Sequence, residues 1–273
     1  MRNSRWFLAA VLLAALLTTG LTGCGGREKP SADGGAAASE RQSAQDGSDA
    51  PNAGEEQPEG DRAATGYPIA DSYTAYVDAK TTMTSKMIDG LSGNPDTALA
   101  SLGLLGGVMV DMVMLPVSFF GMDQEAAATG LAFMNASGVE YEENADGYAI
   151  RYTDAQGRAC VFEGTYDEAA DALACKATND GADSLYGEYQ KTPFGYVGQY
   201  YIRNDDGTVL IYRISIQGED GVFGISGADR YTPLTGAETV DFPKECEEWY
   251  AVSRNAITGV MADGTQVDVE LAA

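Results

Sequence analysis

Between residues 139 and 226 the chain is divided at regular intervals by turn residues, and this spacing constrains the fold more than any other feature. Short aromatic and β-branched runs recur at a spacing near ten residues and are separated by turn residues, among them Asp-Gly or similar pairs, which is typical of an antiparallel meander. The turns are Ala145-Asp146-Gly147, Ala155-Gln156-Gly157, Asn179-Asp180-Gly181, Asp205-Asp206-Gly207 and Glu219-Asp220-Gly221. We predict strands at Tyr148–Thr153, Ala159–Tyr166, Ala172–Thr178, Leu185–Lys191, Tyr196–Arg203, Thr208–Gln217 and Val222–Ser226.

The segment before this meander is predicted to be helical. Apolar residues recur at helical spacing through Ile69–Leu91, which indicates a first amphipathic helix. Asn94-Pro95 combines a capping residue with a residue suited to the first helical position, and it opens an almost wholly apolar helix. We expect this second helix at Ala98–Val113, ended or bent by Pro116, and a third within Asp123–Gly138.

Behind the meander, Lys244–Asn255 is a candidate short helix and Val260–Val267 is a candidate hairpin. Helices first and strands afterwards indicate the α+β class, with N-terminal helices packed on an antiparallel β-meander, in its most curved form a half-barrel. We expect a single domain over 67–273. It would be mainly helical at 67–138, a β-meander at 139–226, and a helix with a hairpin at 227–273.

The first 24 residues have the anatomy of an export signal. A basic N-terminus precedes the apolar run Phe7–Leu17, which is too short to span a bilayer, since a spanning helix needs roughly 20 residues. The run is followed by Leu21-Thr22-Gly23-Cys24, which resembles the lipobox of bacterial lipoproteins. The resemblance implies that residues 1–23 are a cleaved signal peptide. It also implies that a lipid on Cys24 anchors the exported chain to the outer face of the cell membrane.

Residues 24–66 are predicted to comprise the lipidated cysteine and a disordered acidic tether. The segment is rich in Gly, Ala, Ser and acidic residues and has no aromatic residue, so it cannot bury enough apolar area to offset its ordering entropy. The whole chain carries a formal net charge of −24. Because so acidic a surface repels nucleic acid, nucleic acid is not an expected partner.

The chain contains no histidine, and this excludes several kinds of chemistry. Ser-His-Asp and Cys-His catalysis, histidine zinc sites and a histidine pH switch are all ruled out. None of the Asp-Gly turns completes the alternating calcium loop with its distal Glu. We therefore predict no catalytic residue, no metal site and no cofactor.

The apolar segment Leu99–Val117 is the most unusual part of the domain. Three interpretations stay open: a core helix, a helix that contacts a membrane or lines a ligand site, and a second membrane span. Gly103 and Gly107 form a pair of small residues that permits close helix contact. If the single charge of the segment is buried, it must be paired or neutral. The candidate ligand- or membrane-contacting residues are Leu104, Leu105, Met109, Asp111 and Met112.

Three cysteines follow Cys24 in the sequence. A hairpin turn about Asp167-Glu168 would place Cys160 opposite Cys175 on one apolar face. Two alternatives stay open for an exported protein, namely a disulfide between Cys160 and Cys175 or two buried free thiols. Cys246 has no flanking base and is expected to be inert.

An aromatic-rich stretch runs through the second half of the meander. Packing across strands is its expected role, and stacking on a glycan or peptide is the functional alternative. Its members are Tyr186, Tyr189, Phe194, Tyr196, Tyr200, Tyr201 and Tyr212.

Together these features predict a non-enzymatic lipoprotein of the cell envelope that binds a hydrophobic or cell-wall-derived ligand, such as a lipid, glycan or peptide. A curved sheet with helices on its concave face is similar, in architecture only, to the half-barrel lipid carriers of exported bacterial proteins. The alternative is a surface-interaction or scaffolding protein without a ligand pocket. A carboxylate-based hydrolase is the least favoured class.

Overall fold

The chain forms an α+β structure dominated by one antiparallel sheet. The computed structural model describes residues 65–204 and 206–271, so the predicted signal peptide, the lipidated Cys24 and nearly all of the predicted tether lie outside the described residues. Within them, 11 strands form one sheet in which each strand pairs with its neighbours in sequence. The first and last strands do not pair with each other, so the sheet is open. The predicted α+β class and antiparallel meander are confirmed.

Three α-helices precede the sheet in the described residues, and short 3-10 helices follow the second α-helix and the eighth strand. Pro116 lies in the first 3-10 helix, where its missing N–H cannot continue the α-helical hydrogen bonding. The α-helices are α1 (Pro68–Ser92), α2 (Ala100–Val113) and α3 (Gln124–Ala132), and the 3-10 helices are Leu115–Phe119 and Phe242–Glu245.

Two predicted helix starts can be compared with the structure. Asp123 caps α3 as expected, with its carboxylate accepting a hydrogen bond of 2.8 Å from the backbone N–H of Ala126. Asn94 also caps a turn, and its side chain accepts from the backbone N–H of Asp96 over 3.0 Å. The regular helix nevertheless begins only at Ala100, because the hydroxyl of Thr97 bonds back to the carbonyl of Leu91 and holds the intervening residues in a turn.

The strands follow the turn spacing closely. All seven predicted strands overlap an observed one, and the hairpin expected near the C-terminus also forms. The strands are β1 (Ser137–Asn144), β2 (Gly147–Thr153), β3 (Ala159–Asp167), β4 (Ala172–Asn179), β5 (Ala182–Thr192), β6 (Gly195–Arg203), β7 (Val209–Gln217), β8 (Asp220–Ala228), β9 (Glu248–Val252), β10 (Ala256–Val260) and β11 (Gln266–Glu270).

The helix predicted at Lys244–Asn255 is wrong. This stretch instead contains the end of a 3-10 helix and all of β9. Tyr250 of β9 lies opposite Phe223 of β8, so pairing with an existing strand overrides the local helical pattern. Strand β1 was not predicted as a separate strand, although Val139 and Tyr141 alternate with Glu140 and Glu142 before the turn.

Strand alternation gives the sheet one strongly apolar face, and side chains of the helices contact this face. The ring of Tyr76 in α1 stacks on that of Tyr189 in β5 with centroids 4.5 Å apart and planes 9° apart. Met114 at the end of α2 contacts Cys175 of β4 through a 3.5 Å contact between the two sulfur atoms. The opposite face is crossed by residues 229–247, the connection between β8 and β9, which we call the strap.

The register expected between β3 and β4 is wrong. Cys160 lies opposite Asn179, and Cys175 lies opposite Gly164. The chain turns later than expected because the carboxylate of Asp167 accepts backbone hydrogen bonds from the two alanines that follow Glu168, which closes a longer turn. The two cysteines are therefore offset by about 13 Å along the strands, far beyond the reach of a disulfide. Cys160, Cys175 and Cys246 are all buried free thiols in the structure.

Candidate functional site

Helix α2 differs from an ordinary surface helix in its composition. Among the described residues, one segment, Ala100–Phe119, is long and apolar enough to cross a membrane by length and composition, with a mean hydropathy of 1.9. In the structure this segment is divided at Met114 between α2 and a 3-10 helix, so it is not one continuous α-helix. One side of α2 joins the core of the domain and the other faces solvent.

The inner side of α2 lies directly against aromatic side chains of the sheet. A Cβ atom added at Gly107 would lie 2.2 Å from the Cζ atom of Phe223, and one added at Gly106 would lie 2.2 Å from the hydroxyl oxygen of Tyr212. At Gly103 the added atom would lie 2.8 Å from Ile225. The small residues therefore permit close contact, as predicted, but their contacts are with the sheet. No space for a ligand remains between the helix backbone and these side chains.

The outer side of α2 is apolar as well. Every exposed residue of this helix is Leu, Met or Val, and Leu99, just before its first turn, continues the same surface. A helix that only covers a core has polar residues on its solvent side, whereas an exposed apolar surface is typical of a contact site. The exposed residues, with their exposed fractions, are Leu99 (56%), Leu102 (44%), Leu105 (38%), Met112 (54%) and Val113 (45%). We call these five residues the outer α2 face.

The candidate residues named from the sequence divide between the two sides of α2. Leu104 is fully buried in the core, whereas Leu105 and Met112 belong to the outer α2 face. Met109 is half-buried. Asp111 contacts the ammonium group of Lys80 in α1. Leu99, Leu102 and Val113 were missed as individual candidates, although their spacing along one side of the helix is readable from the sequence.

Lys80 and Asp111 form an ion pair inside the domain. The Lys80 side chain is 1% exposed and that of Asp111 is 17% exposed. Burial lowers the pKa of the Lys80 amine and raises that of the Asp111 carboxyl, and the attraction between the two charges offsets part of each shift. We expected Asp111, if buried, to be either paired or neutral, and in the structure it is paired with Lys80.

Tyrosine hydroxyls complete the polar cluster around this ion pair. The Lys80 ammonium lies 3.4 Å from the Tyr200 hydroxyl and 4.8 Å from the centroid of the Tyr200 ring. The Tyr200 hydroxyl in turn donates to that of Tyr76 over 3.1 Å. The hydroxyl of Tyr73 is buried without a hydrogen-bond partner, and burial followed by the charge of Asp111 raises its pKa. The cluster is enclosed by the core, which suits a structural role.

The aromatic-rich stretch lies on both faces of the sheet. Tyr189, Tyr200 and Tyr212 are buried on the face that contacts the helices. Tyr200 lies directly opposite Tyr212, as expected for cross-strand packing, whereas Tyr189 stacks on Tyr76 of α1. Tyr201 packs beneath the strap, where its hydroxyl lies 3.1 Å from the carbonyl oxygen of Thr232.

A concave region lies over strands β1 to β5 and has a volume of about 460 Å³. Two of the cations that line it are paired, Arg151 with Glu142 over 2.9 Å and Lys176 with Asp183 over 2.7 Å. The Tyr186 ring stacks on that of Tyr231, with centroids 4.7 Å apart, and Lys176 lies over it at 5.4 Å. The Tyr186 ring is therefore already in contact with an aromatic ring and a cation.

No group of three or more Cys, Asp or Glu side chains in residues 65–204 and 206–271 is placed to hold a metal ion. Burial raises the pKa of Cys175 to about 12 and that of Cys246 to about 11, which keeps both thiols protonated at neutral pH.

The fold and the outer α2 face define an α+β protein with an open antiparallel meander and a solvent-exposed apolar helix. Comparison with protein-family models, with curated proteins and with solved structures found no match to this chain.

Proposed function

We propose that this protein is an exported, lipid-anchored, non-enzymatic protein that binds apolar material through the outer α2 face. The observation that supports the proposal is the uniformly apolar composition of the exposed side of α2. A contiguous apolar surface of this kind is rare on a soluble protein unless something binds there. The remaining surface is strongly acidic, which keeps the rest of the domain in solution.

We further propose that the helices cover the concave side of a curved half-barrel. The contacts of α1 and α2 with Tyr189, Tyr212 and Phe223 support this arrangement. It would leave α2 as the outermost layer on that side, with its inner face fixed by the core and its outer face free to bind. A scaffolding role without a ligand pocket is the second candidate, and the close packing of Gly106 and Gly107 against the sheet favours it over an internal cavity.

The binding proposal can be tested with a fluorescent long-chain fatty acid as the apolar probe. Leu102→Ser, Leu105→Ser and Met112→Ser combined should weaken probe binding by at least tenfold, because each substitution removes apolar area that is already exposed. Phe133→Ser is the matched control, since Phe133 is 88% exposed but lies outside α2. Equal binding by the triple variant and the wild type would refute a role for the outer α2 face.

The anchor is a separate part of the proposal and has its own test. Cys24→Ala removes the sulfur to which the lipid would be attached, so the variant should move from the membrane fraction to the medium. Wild-type levels in the membrane fraction, or an intact mass that still includes residues 1–23, would contradict lipid anchoring.

A further inference from the structure

We infer that the partner of the outer α2 face is the outer leaflet of the bilayer to which the chain is tethered. The inference rests on the proposed function and specifies its ligand as a lipid surface. A free acyl chain, a second copy of the protein and another protein are the competing partners.

The shape of the site favours a surface over a small molecule. Pockets for small ligands are concave and enclose most of the ligand, whereas the outer α2 face is the convex side of a helix. The inner side of the same helix is filled by Tyr212 and Phe223, so a free acyl chain could not be enclosed from below. A bilayer interface needs no pocket, because a helix can lie in the interface plane with one apolar side buried to a depth of roughly 5–10 Å.

The dimensions of α2 also suit this placement. Its 14 residues span about 21 Å, which is shorter than the roughly 30 Å hydrocarbon core and suits a helix lying along the interface. Asp111 is paired with Lys80 on the inner side, so no charge has to enter the apolar layer with the exposed side chains. The ion pair thus leaves the exposed side of α2 without a charged group.

The predicted tether brings this face within reach of the membrane. Residues 25–64 separate the predicted lipidated cysteine from the first described residue. A tether of the flexible kind that the composition predicts would have, at that length, a root-mean-square span of about 35 Å. An anchored domain therefore meets the leaflet at a high effective concentration, and even a weak apolar contact would be occupied.

Charge argues against a second copy as the partner and sets a condition on the bilayer. The formal net charge of −24 makes two copies repel each other, so self-association through α2 is disfavoured. The same charge should weaken contact with a strongly anionic leaflet. We therefore expect the outer α2 face to bind zwitterionic lipid more tightly than anionic lipid at low salt.

The test is photolabelling of the native protein in vesicles. The protein purified from membranes is reconstituted in phosphatidylcholine vesicles that contain a phosphatidylcholine with a photoreactive acyl chain, and the adducts are mapped by mass spectrometry. We expect adducts on the outer α2 face and at least tenfold fewer there in the Leu102→Ser, Leu105→Ser, Met112→Ser variant, while Phe133→Ser leaves them unchanged. Replacing a third of the lipid by phosphatidylglycerol should reduce labelling at low salt, and added salt should restore it.

The outcomes separate this inference from the proposed function. Adducts confined to the N-terminal segment, with none on α2, would overturn the inference, and fatty-acid binding that persists would leave the proposed function standing. Crosslinks between two copies through α2 would contradict the inference and would show that the partner of the outer α2 face is a second copy of the protein. Loss of both lipid labelling and fatty-acid binding would reject the inference and the proposed function together.

Discussion

Lys80 of α1 and Asp111 of α2 are 31 residues apart in sequence and form an ion pair in the interior of the domain. The pair joins the two helices at the level of Tyr200, which lies beneath the Lys80 ammonium. It also explains how a helix as apolar as α2 carries a single acidic residue without exposing it on its outer side. Because each charge is removed from water, each depends on the other.

Removing one member of this pair should destabilise the fold. Asp111→Asn leaves the Lys80 ammonium buried without a counter-charge, and the free energy of unfolding should fall by about 3 kcal/mol. Urea denaturation followed by tyrosine fluorescence measures the change. The double variant Lys80→Met, Asp111→Leu buries no charge and should recover most of the loss. A double variant less stable than Asp111→Asn would show that the pair itself stabilises the native state.

The same pair should produce a defined pH dependence of stability. Burial lowers the Lys80 pKa below its ordinary 10.5, so between the lowered value and 10.5 the unfolded chain binds the extra proton and stability rises with pH. Burial raises the Asp111 pKa above 3.8, so stability falls as the pH rises from 3.8 to the raised value. The stability difference between the wild type and the double variant, followed from pH 3 to pH 11, should show both trends. A flat difference would contradict them.

The close approach of α2 to the sheet predicts the effect of a single added methyl group. Gly107→Ala places a Cβ atom 2.2 Å from the ring of the fully buried Phe223, and the free energy of unfolding should fall by roughly 1–3 kcal/mol. Gly93→Ala is the matched control, because the nearest atom to its added Cβ is 3.6 Å away and its φ is −69°. Thermal unfolding of both variants measures the difference, and equal melting temperatures would contradict the close contact between Gly107 and Phe223.

The three buried thiols should be inert in the folded protein and free after denaturation. Burial raises the pKa of each, so iodoacetamide at neutral pH should leave Cys160, Cys175 and Cys246 unmodified under native conditions. In guanidinium without reductant all three should be alkylated, which intact-mass analysis detects. Alkylation of Cys246 alone in the denatured sample would instead reveal a disulfide between the other two.

The strap depends on two buried polar side chains of the sheet. The Gln199 amide donates to the carbonyl of Thr232 over 2.7 Å, and the Glu188 carboxylate accepts from the backbone N–H of Leu234 over 2.9 Å. Gln199→Ala should release this part of the strap at a cost of about 1–2 kcal/mol. Hydrogen exchange should then accelerate at residues 232–234, while Thr82→Ala on α1 should leave that exchange unchanged. Unaltered protection in Gln199→Ala would show that other contacts hold the strap.

The sequence predicted the elements of this fold well wherever a local signal specified them. The Asp-Gly and similar turns predicted seven strands, and helical periodicity predicted α1. Both signals can be read locally because turn chemistry and side-chain spacing act over a few residues. The prediction failed at Lys244–Asn255, where pairing with β8 decides the conformation of β9. The prediction also failed for the register of Cys160. There the Asp167 carboxylate accepts hydrogen bonds from two backbone amides and makes the turn longer, and composition alone does not reveal the length of that turn.

The site divides in the same way. The sequence by itself determined that α2 is apolar and that it contains one acidic residue and several small residues. Only the tertiary structure decided which side of α2 meets the sheet, that Lys80 is the partner of Asp111, and that Leu102, Leu105 and Met112 remain exposed. The physical reason is that periodicity fixes the angular positions of residues around a helix. Which of those positions becomes buried depends on contacts between segments far apart in the chain, and no local pattern encodes those contacts.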